Sequence, residues 1–190
     1  MADQTRKGAD DASEGSGLTG AVMSALGMLG TGSEDALTLL KHDHREVDGL
    51  FKEYEGLDER SDARRRREIV TEVCALLTVH ATIEEELFYP AVQRAGNEAR
   101  DLIDEARVEH RTLKELIATI QGAAGDDRAV KANFTVLREY VQHHVKEEED
   151  EVFDAAKDAD VDLDRLGQQL EERKLELMTQ VATEVATGRS

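Results

Sequence analysis

The same arrangement of histidine and glutamate occurs twice along this chain of 190 residues. In each copy a single histidine precedes a His-x-x-x-Glu motif, and the copies are 66 residues apart at the first histidine and 64 at the second. Residues four apart lie on one face of an α-helix, so each motif presents an imidazole and a carboxylate together. Such a set can hold a pair of metal ions. The six residues are His44, His80 and Glu84 in the first copy and His110, His144 and Glu148 in the second.

The sequence after residue 35 has the periodicity of packed helices. Apolar residues recur at steps of three and four, and residue types that favour helix dominate. Because short linkers make successive helices antiparallel neighbours, we predict an all-α fold, an up-down-up-down four-helix bundle with an additional C-terminal helix. That fifth helix is expected to pack on the outside of the bundle or on a partner chain. The predicted helices span about 35–58, 62–95, 99–121, 127–157 and 162–186.

All six residues of the pattern fall on the apolar, inward faces of their helices. A lone histidine at such a position is usually a hydrogen-bonded core residue. Two buried glutamates and four histidines on four helices, however, require a compensating positive charge, and a pair of cations would supply it. Imidazole and carboxylate without thiolate suit iron, manganese or zinc and argue against Cu(I) and iron–sulfur clusters.

The first 33 residues differ in composition from the rest, since they hold half of the chain's 14 glycines. We predict a flexible Gly-rich tail, with a short docking segment between Leu18 and Leu29 as the alternative. A cap within Ser33–Ala36 is expected to begin the first helix. The predicted organisation is therefore a tail at 1–33, a metal-binding domain at 34–158 and a C-terminal helix at 159–190.

An excess of acidic residues limits the partners that the chain can bind. With 24 basic and 42 acidic residues, the net charge of −18 repels nucleic acid and anionic membranes. The basic cluster Arg64–Arg67 is interpreted as solvated. The apolar stretch within the tail is too short to span a bilayer and has acids before it, unlike a secretory signal. The single cysteine, Cys74, is predicted to pack in the core and fits a cytoplasmic location.

Several polar residues close to the pattern leave two interpretations open. His42 and His143 are predicted to be solvated or to surround the ligands. Tyr54 and Tyr140 are predicted to pack in the core, with a hydrogen bond to the site, or ligation, as the alternative. Four acids beside the motifs are interpreted as a solvated face, or as groups that support the ligands or guide cations inward. They are Glu85, Glu86, Glu147 and Glu149.

With these motifs, the chain resembles the hemerythrin-like family, also called the HHE cation-binding family, over about residues 36–157. The resemblance is carried by four segments, of which the third repeats the first and the fourth repeats the second. Asp154 stands where the family often has proline. The four segments are Leu40–Val47, His80–Pro90, Glu109–Leu113 and His144–Phe153.

The resemblance implies a non-haem di-iron site inside a four-helix bundle, with the two irons bridged by carboxylates and by an oxo or hydroxo group. Glu84 and Glu148 are the expected bridging residues, and the four histidines of the pattern are the expected terminal ligands. Manganese or zinc is the alternative to iron. Oxygen-carrying hemerythrins have a further histidine where this chain has Lys114, so the resemblance is closer to iron-sensing and bacterial members.

These observations predict a protein that binds oxygen, nitric oxide or peroxide at the di-iron site for sensing, buffering or stress response. One alternative is a di-iron oxidoreductase that decomposes peroxide, oxidises Fe(II) or reduces nitric oxide. The other is iron handling or storage through a partner that docks on the tail or the fifth helix, with a homo-oligomer also possible.

Overall fold

The computed structural model describes residues 34–95, 99–123, 125 and 127–187. Within those residues every regular element is helical, which confirms the all-α prediction. The predicted tail and its docking segment lie outside the described residues, and so does Ser33. The helices are α1 (Ala36–Gly56), α2 (Ala63–Ile83), α3 (Tyr89–Ala95), α4 (Arg100–Gly122), α5 (Asp127–Glu147), α6 (Phe153–Asp158) and α7 (Leu163–Thr187).

The start of α1 is set by one aspartate. The carboxylate of Asp35 accepts hydrogen bonds from the backbone N–H of Leu37 at 2.9 Å and of Thr38 at 3.1 Å. These bonds satisfy two donors that have no partner inside the helix. The cap predicted within Ser33–Ala36 therefore falls on Asp35.

Two π-helical turns interrupt what periodicity predicts as two continuous helices. The turn Glu84–Phe88 joins α2 to α3, and the turn Glu148–Val152 joins α5 to α6. Pro90 follows the first turn, but Asp154 occupies the equivalent position after the second, so proline is not the common cause. Both turns begin at the glutamate of the repeated motif, and π-helical turns are frequent at functional sites.

The four long helical segments form the predicted up-down-up-down bundle. Helix α1 packs against α2, α4 packs against α5, and weaker contacts between α1 and α5 and between α2 and α4 close the bundle. Helix α7 packs on the outside, against α1, α2 and the first π-helical turn. Its Gly167 lies so close to the start of α1 that a Cβ there would stand 2.9 Å from the backbone nitrogen of Ala36. Glycine therefore permits the tight docking of α7.

Two hydrophobic clusters fill the bundle, one toward each end. On every one of the four long segments, the histidines and glutamates of the repeated pattern lie between residues of the first cluster and residues of the second. The bundle therefore has a buried polar layer enclosed by apolar residues on both sides. Cys74 packs in the first cluster, as predicted.

No helix in the described part of the chain combines the length and the apolar character that crossing a bilayer would need.

Candidate metal centre

The structure brings together all six residues that the sequence pattern singles out. Each is at most 7% exposed, although each carries a polar side chain. Their ligand atoms form two groups, and within each group these atoms lie within 4.8 Å of one another. Glu84 belongs to both. The first group holds His44, His80, Glu84 and Glu148, and the second holds Glu84, His110 and His144.

The distances between ligand atoms match those expected around shared ions. The Nε2 atoms of His44 and His80 are 3.1 Å apart, and so are those of His110 and His144. Donor atoms about 2.1 Å from one ion and at right angles to each other are about 3 Å apart. Each histidine pair is therefore spaced as two ligands of one cation would be.

The two glutamates face both histidine pairs. Oε2 of Glu84 lies 3.2 Å from Nε2 of His80 and 3.4 Å from Nε2 of His110. Oε2 of Glu148 lies 3.4 Å from Nε2 of His44 and 4.0 Å from Nε2 of His144. Each carboxylate thus contacts one histidine of each pair, which is the position of a group shared between two ions.

The outer nitrogen of every one of these imidazoles faces a carboxylate. Nδ1 of His44 lies 2.8 Å from Glu149, and Nδ1 of His80 lies 3.3 Å from Asp43. An ionised carboxylate only accepts hydrogen bonds, so Nδ1 carries the proton and Nε2 keeps its lone pair. In metal sites this arrangement fixes the orientation and basicity of the imidazole.

The second repeat makes the same contacts from equivalent positions. Nδ1 of His144 lies 2.7 Å from Glu109, and Nδ1 of His110 lies 3.1 Å from Glu85. Glu109 precedes His110 as Asp43 precedes the first histidine, and Glu85 follows its motif glutamate as Glu149 does. Sequence reasoning overlooked Asp43 and Glu109. Their position directly before the two lone histidines was the available signal.

The six side chains do not satisfy one another's polar atoms, and cations bound between them would. Two Nε2 atoms 3.1 Å apart repel each other when neither carries a proton, and neither oxygen of Glu84 nor Oε2 of Glu148 has a hydrogen-bond partner. An unpaired buried carboxylate oxygen is costly. Imidazole and carboxylate donors in this arrangement suit iron, manganese or zinc.

The charges of the layer favour any positive charge placed inside it. Burial alone would raise the pKa of Glu84, but His80 and His110 outweigh it and hold that pKa well below its ordinary value. Burial alone would lower the pKa of His110, yet the neighbouring carboxylates of Glu84 and Glu85 raise it to about 9. Protons or metal cations can supply this charge, so the two compete for the same atoms.

A tyrosine near the centre distinguishes the first repeat from the second. The hydroxyl of Tyr89 donates to Oε1 of Glu148 at 2.9 Å and lies 3.3 Å from Nε2 of His110. Burial and the neighbouring carboxylates raise the pKa of Tyr89 well above its ordinary value, so the hydroxyl keeps its proton at neutral pH. The equivalent residue of the second repeat is Phe153, whose ring is parallel to that of His44 at 6.0 Å.

Sequence reasoning considered two other tyrosines in place of Tyr89. Tyr54 packs in the first hydrophobic cluster against Phe134, and Tyr140 packs against the same cluster, as the core interpretation predicts. Tyr89 reaches the centre because it lies five residues after Glu84, and the π-helical turn between them brings residues five apart onto one face. Regular helical spacing gave no signal for it.

The remaining polar residues of the sequence analysis lie around the centre. Lys114 forms an ion pair with Glu85 at 2.7 Å, and its side chain is 40% exposed. It therefore contacts an acid that supports His110 and does not reach the centre itself. Glu86 pairs with Arg173 of α7 at 2.8 Å. His143 is exposed and lies 3.2 Å from Glu147.

A small cavity adjoins the histidines. It measures about 10 Å³, which is room for about one water-sized molecule. Asp43, the four histidines of the pattern and several apolar side chains line it. The apolar lining consists of Val47, Leu77, Ala81, Leu113, Val141 and Val145.

Known proteins of similar sequence and structure share the helical fold of this chain. Residues 35–156 match the hemerythrin HHE cation-binding domain family. A crystal structure of a hemerythrin HHE cation-binding domain-containing protein from Mycobacterium kansasii superposes with a TM-score of 0.70 and 22% identity. It covers 83% of this chain and 95% of that one, and at this identity it shows a shared fold.

One relative has a name that describes a different activity. A DNA nickase from Nostoc sp. is 31% identical to this chain over 119 residues. The match covers 62% of this chain but only 32% of the nickase, so the chain spans about a third of that relative.

Proposed function

The chain belongs to the hemerythrin HHE cation-binding family, and we propose that its buried layer holds two iron ions that bind oxygen, nitric oxide or peroxide. The proposal rests on the arrangement of the donor atoms, in which four imidazoles donate hydrogen bonds from Nδ1 to carboxylates and turn their Nε2 atoms toward one another. The function proposed is sensing, buffering or stress response to such a ligand. Manganese and zinc are the other ions that this donor set would hold.

The six residues divide into two roles in this proposal. His44 and His80 would hold one ion, and His110 and His144 would hold the other, since each pair has its Nε2 atoms 3.1 Å apart. Glu84 would join the two ions, because its Oε2 faces one histidine of each pair. Glu148 occupies the equivalent place in the second repeat.

An iron pair, when bound, supplies redox electrons and open coordination positions for a diatomic or peroxide ligand. The chain supplies a cavity of about 10 Å³ next to the four histidines, and part of its lining is aliphatic. Apolar walls exclude water and admit a small molecule of low polarity. The cavity therefore supports a diatomic or peroxide ligand over a larger substrate.

One observation favours an enzyme as the second candidate. The Tyr89 hydroxyl holds a proton 2.9 Å from Glu148 at the edge of the centre. A positioned hydroxyl of this kind can act as a proton donor, which peroxide decomposition requires. A di-iron oxidoreductase acting on peroxide is accordingly the alternative function.

Nicking of DNA is not part of the function that we propose. The matched segment is about a third of the nickase. A net charge of −18 also opposes contact with a phosphate backbone.

Metal content and visible spectra test the proposal directly. The purified chain should hold two irons, and the reduced form should develop a new charge-transfer band on exposure to oxygen, nitric oxide or peroxide. The variant His80→Ala should lose the band and at least one iron. The exposed His143→Ala should keep both.

Two outcomes would overturn the proposal. The first is a chain that binds no more metal than His80→Ala does. The second is an iron-loaded chain whose spectrum does not respond to any of the three ligands. Turnover of peroxide that depends on Tyr89 would favour the enzyme instead.

A further inference from the structure

A pocket between α4 and α5 reaches the buried layer from the surface. It measures about 70 Å³, and its inner end is formed by His144 and Glu148, which also belong to the ligand set proposed above. Oε2 of Glu148 is buried and has no hydrogen-bond partner. A side chain that has an unpaired polar atom therefore separates the pocket from the interior.

Carboxylates follow the pocket from solvent inward. Glu105 and Glu151 are exposed, Glu109 and Glu147 are half-buried, and Glu148 is 2% exposed. No lysine or arginine occurs among the described residues that line the pocket. Acidic clefts of this kind raise the local concentration of cations and their rate of association.

Two acids in the middle of this series have ligand spacing with His143, an exposed residue next to the pocket lining. Ligand atoms of Glu109, His143 and Glu147 lie within 4.8 Å of one another. The group is partly exposed, so a cation held there would retain part of its water shell. It would bind less tightly than in the buried layer.

The first repeat positions its two histidines and its glutamate without most of the acids that line the pocket. At the equivalent positions it has apolar residues, and these belong to or pack on the hydrophobic cluster that includes Leu166 and Leu170 of α7. One acid, Glu109, has an acidic counterpart, Asp43, which supports a ligand in the same way. The replaced pairs are Leu39 with Glu105, Ile83 with Glu147, and Leu87 with Glu151.

We propose that the pocket between α4 and α5 is an outer binding site for hydrated divalent cations and the route by which metal reaches the buried layer. The inference rests on the proposed function in that the buried layer is taken as the destination. Exposed acids attract the ion, Glu109, His143 and Glu147 hold it briefly, and Glu148 receives it.

Stopped-flow uptake of Co²⁺ by the metal-free chain, followed through the visible bands of cobalt bound by histidine, tests the route at low ionic strength. Neutralising Glu105→Gln, Glu147→Gln and Glu151→Gln together should slow uptake about tenfold or more. Final cobalt content should stay unchanged. The matched control neutralises the exposed Glu115, Glu139 and Glu172, and the same change in net charge should alter the rate less than about twofold.

A rate that is equal in the two triple variants overturns the route. If the first triple variant also loses cobalt content, the double variant Glu105→Gln/Glu151→Gln decides, because these exposed residues do not contact the proposed ligands. A normal rate in that double variant overturns the route as well. Cobalt uptake requires no oxygen chemistry, so a failed response to oxygen, nitric oxide or peroxide would leave the route standing.

Discussion

Each repeat places two histidines and one glutamate in a similar geometry, but the two repeats surround these donors differently. In the first repeat, α7 covers α1 and α2, and Lys174 of α7 pairs with the buried Asp43. In the second repeat, the corresponding Glu109 is half-buried and faces an open acidic pocket. Tyr89 contacts the centre on one side, where Phe153 stands on the other. Duplication thus accounts for the two groups of ligand atoms, while the differences provide a closed side and an open side.

Loss of a shared carboxylate should have the largest effect and should not distinguish the repeats. Glu84→Ala and Glu148→Ala each remove the group that faces both histidine pairs, so affinity for metal should fall by more than about 100-fold. Metal content measured after dialysis should drop from two ions to one or none. The control is Glu86→Ala, because Glu86 pairs with Arg173 and faces neither histidine pair. Full metal content in either ligand variant would show that the repeats do not share their carboxylates.

The covered side should depend more on its supporting acid than the open side. Asp43→Asn removes a buried charge and leaves the half-buried Lys174 without its partner, and breaking such a pair costs about 3 kcal/mol. Glu109→Gln removes only a half-buried partner of His144 and should cost about 1 kcal/mol. Urea unfolding of the metal-free variants measures both free energies. Equal losses would contradict the closed-and-open distinction.

Tyr89→Phe would make the two sides of the centre alike. Glu148 would lose its hydroxyl donor, and a hydrogen bond to a charged group contributes about 2 kcal/mol. The free energy of unfolding of the metal-free chain should fall by about that amount. Tyr54→Phe, in the hydrophobic cluster near Phe134, should change it by less than about 1 kcal/mol. A tyrosine variant that unfolds like the parent would show that the hydroxyl does not stabilise Glu148.

The smallest expected effect concerns the docking of α7. In Gly167→Ala, the new Cβ would collide with the backbone of Glu34 and Ala36, so the overpacking should outweigh the gain in helix propensity by about 1 kcal/mol. Gly49→Ala, on α1 with open space around the Cβ, should instead stabilise by about 1 kcal/mol. Thermal unfolding of both variants measures whether each substitution raises or lowers the stability. A stabilised Gly167→Ala would mean that α7 does not dock as closely as described.

Much of the architecture was predictable because it depends on local patterns. The periodicity of apolar residues predicted all five helical segments, with ends that differ by at most two residues wherever the structure describes them. It did not predict the π-helical turns at Glu84 and Glu148. The first turn shifts the buried face by one residue, so that Phe88 and Val92 are buried where steps of three and four from Glu84 lead to Leu87 and Ala91. The ligand role of the six residues remains a prediction, although the structure brings their donor atoms together.

Local chemistry and spacing determined that this chain forms a helical bundle with six polar residues on inward faces, because both signals repeat along the sequence. Only the tertiary structure decided which acid supports which histidine, since Asp43 contacts His80 on another helix and not its neighbour His44. It also decided that Tyr89 reaches Glu148, and that α7 covers one pair of helices and leaves an acidic pocket on the other. These pairings join residues far apart in the chain, and their partners are set by how the helices pack.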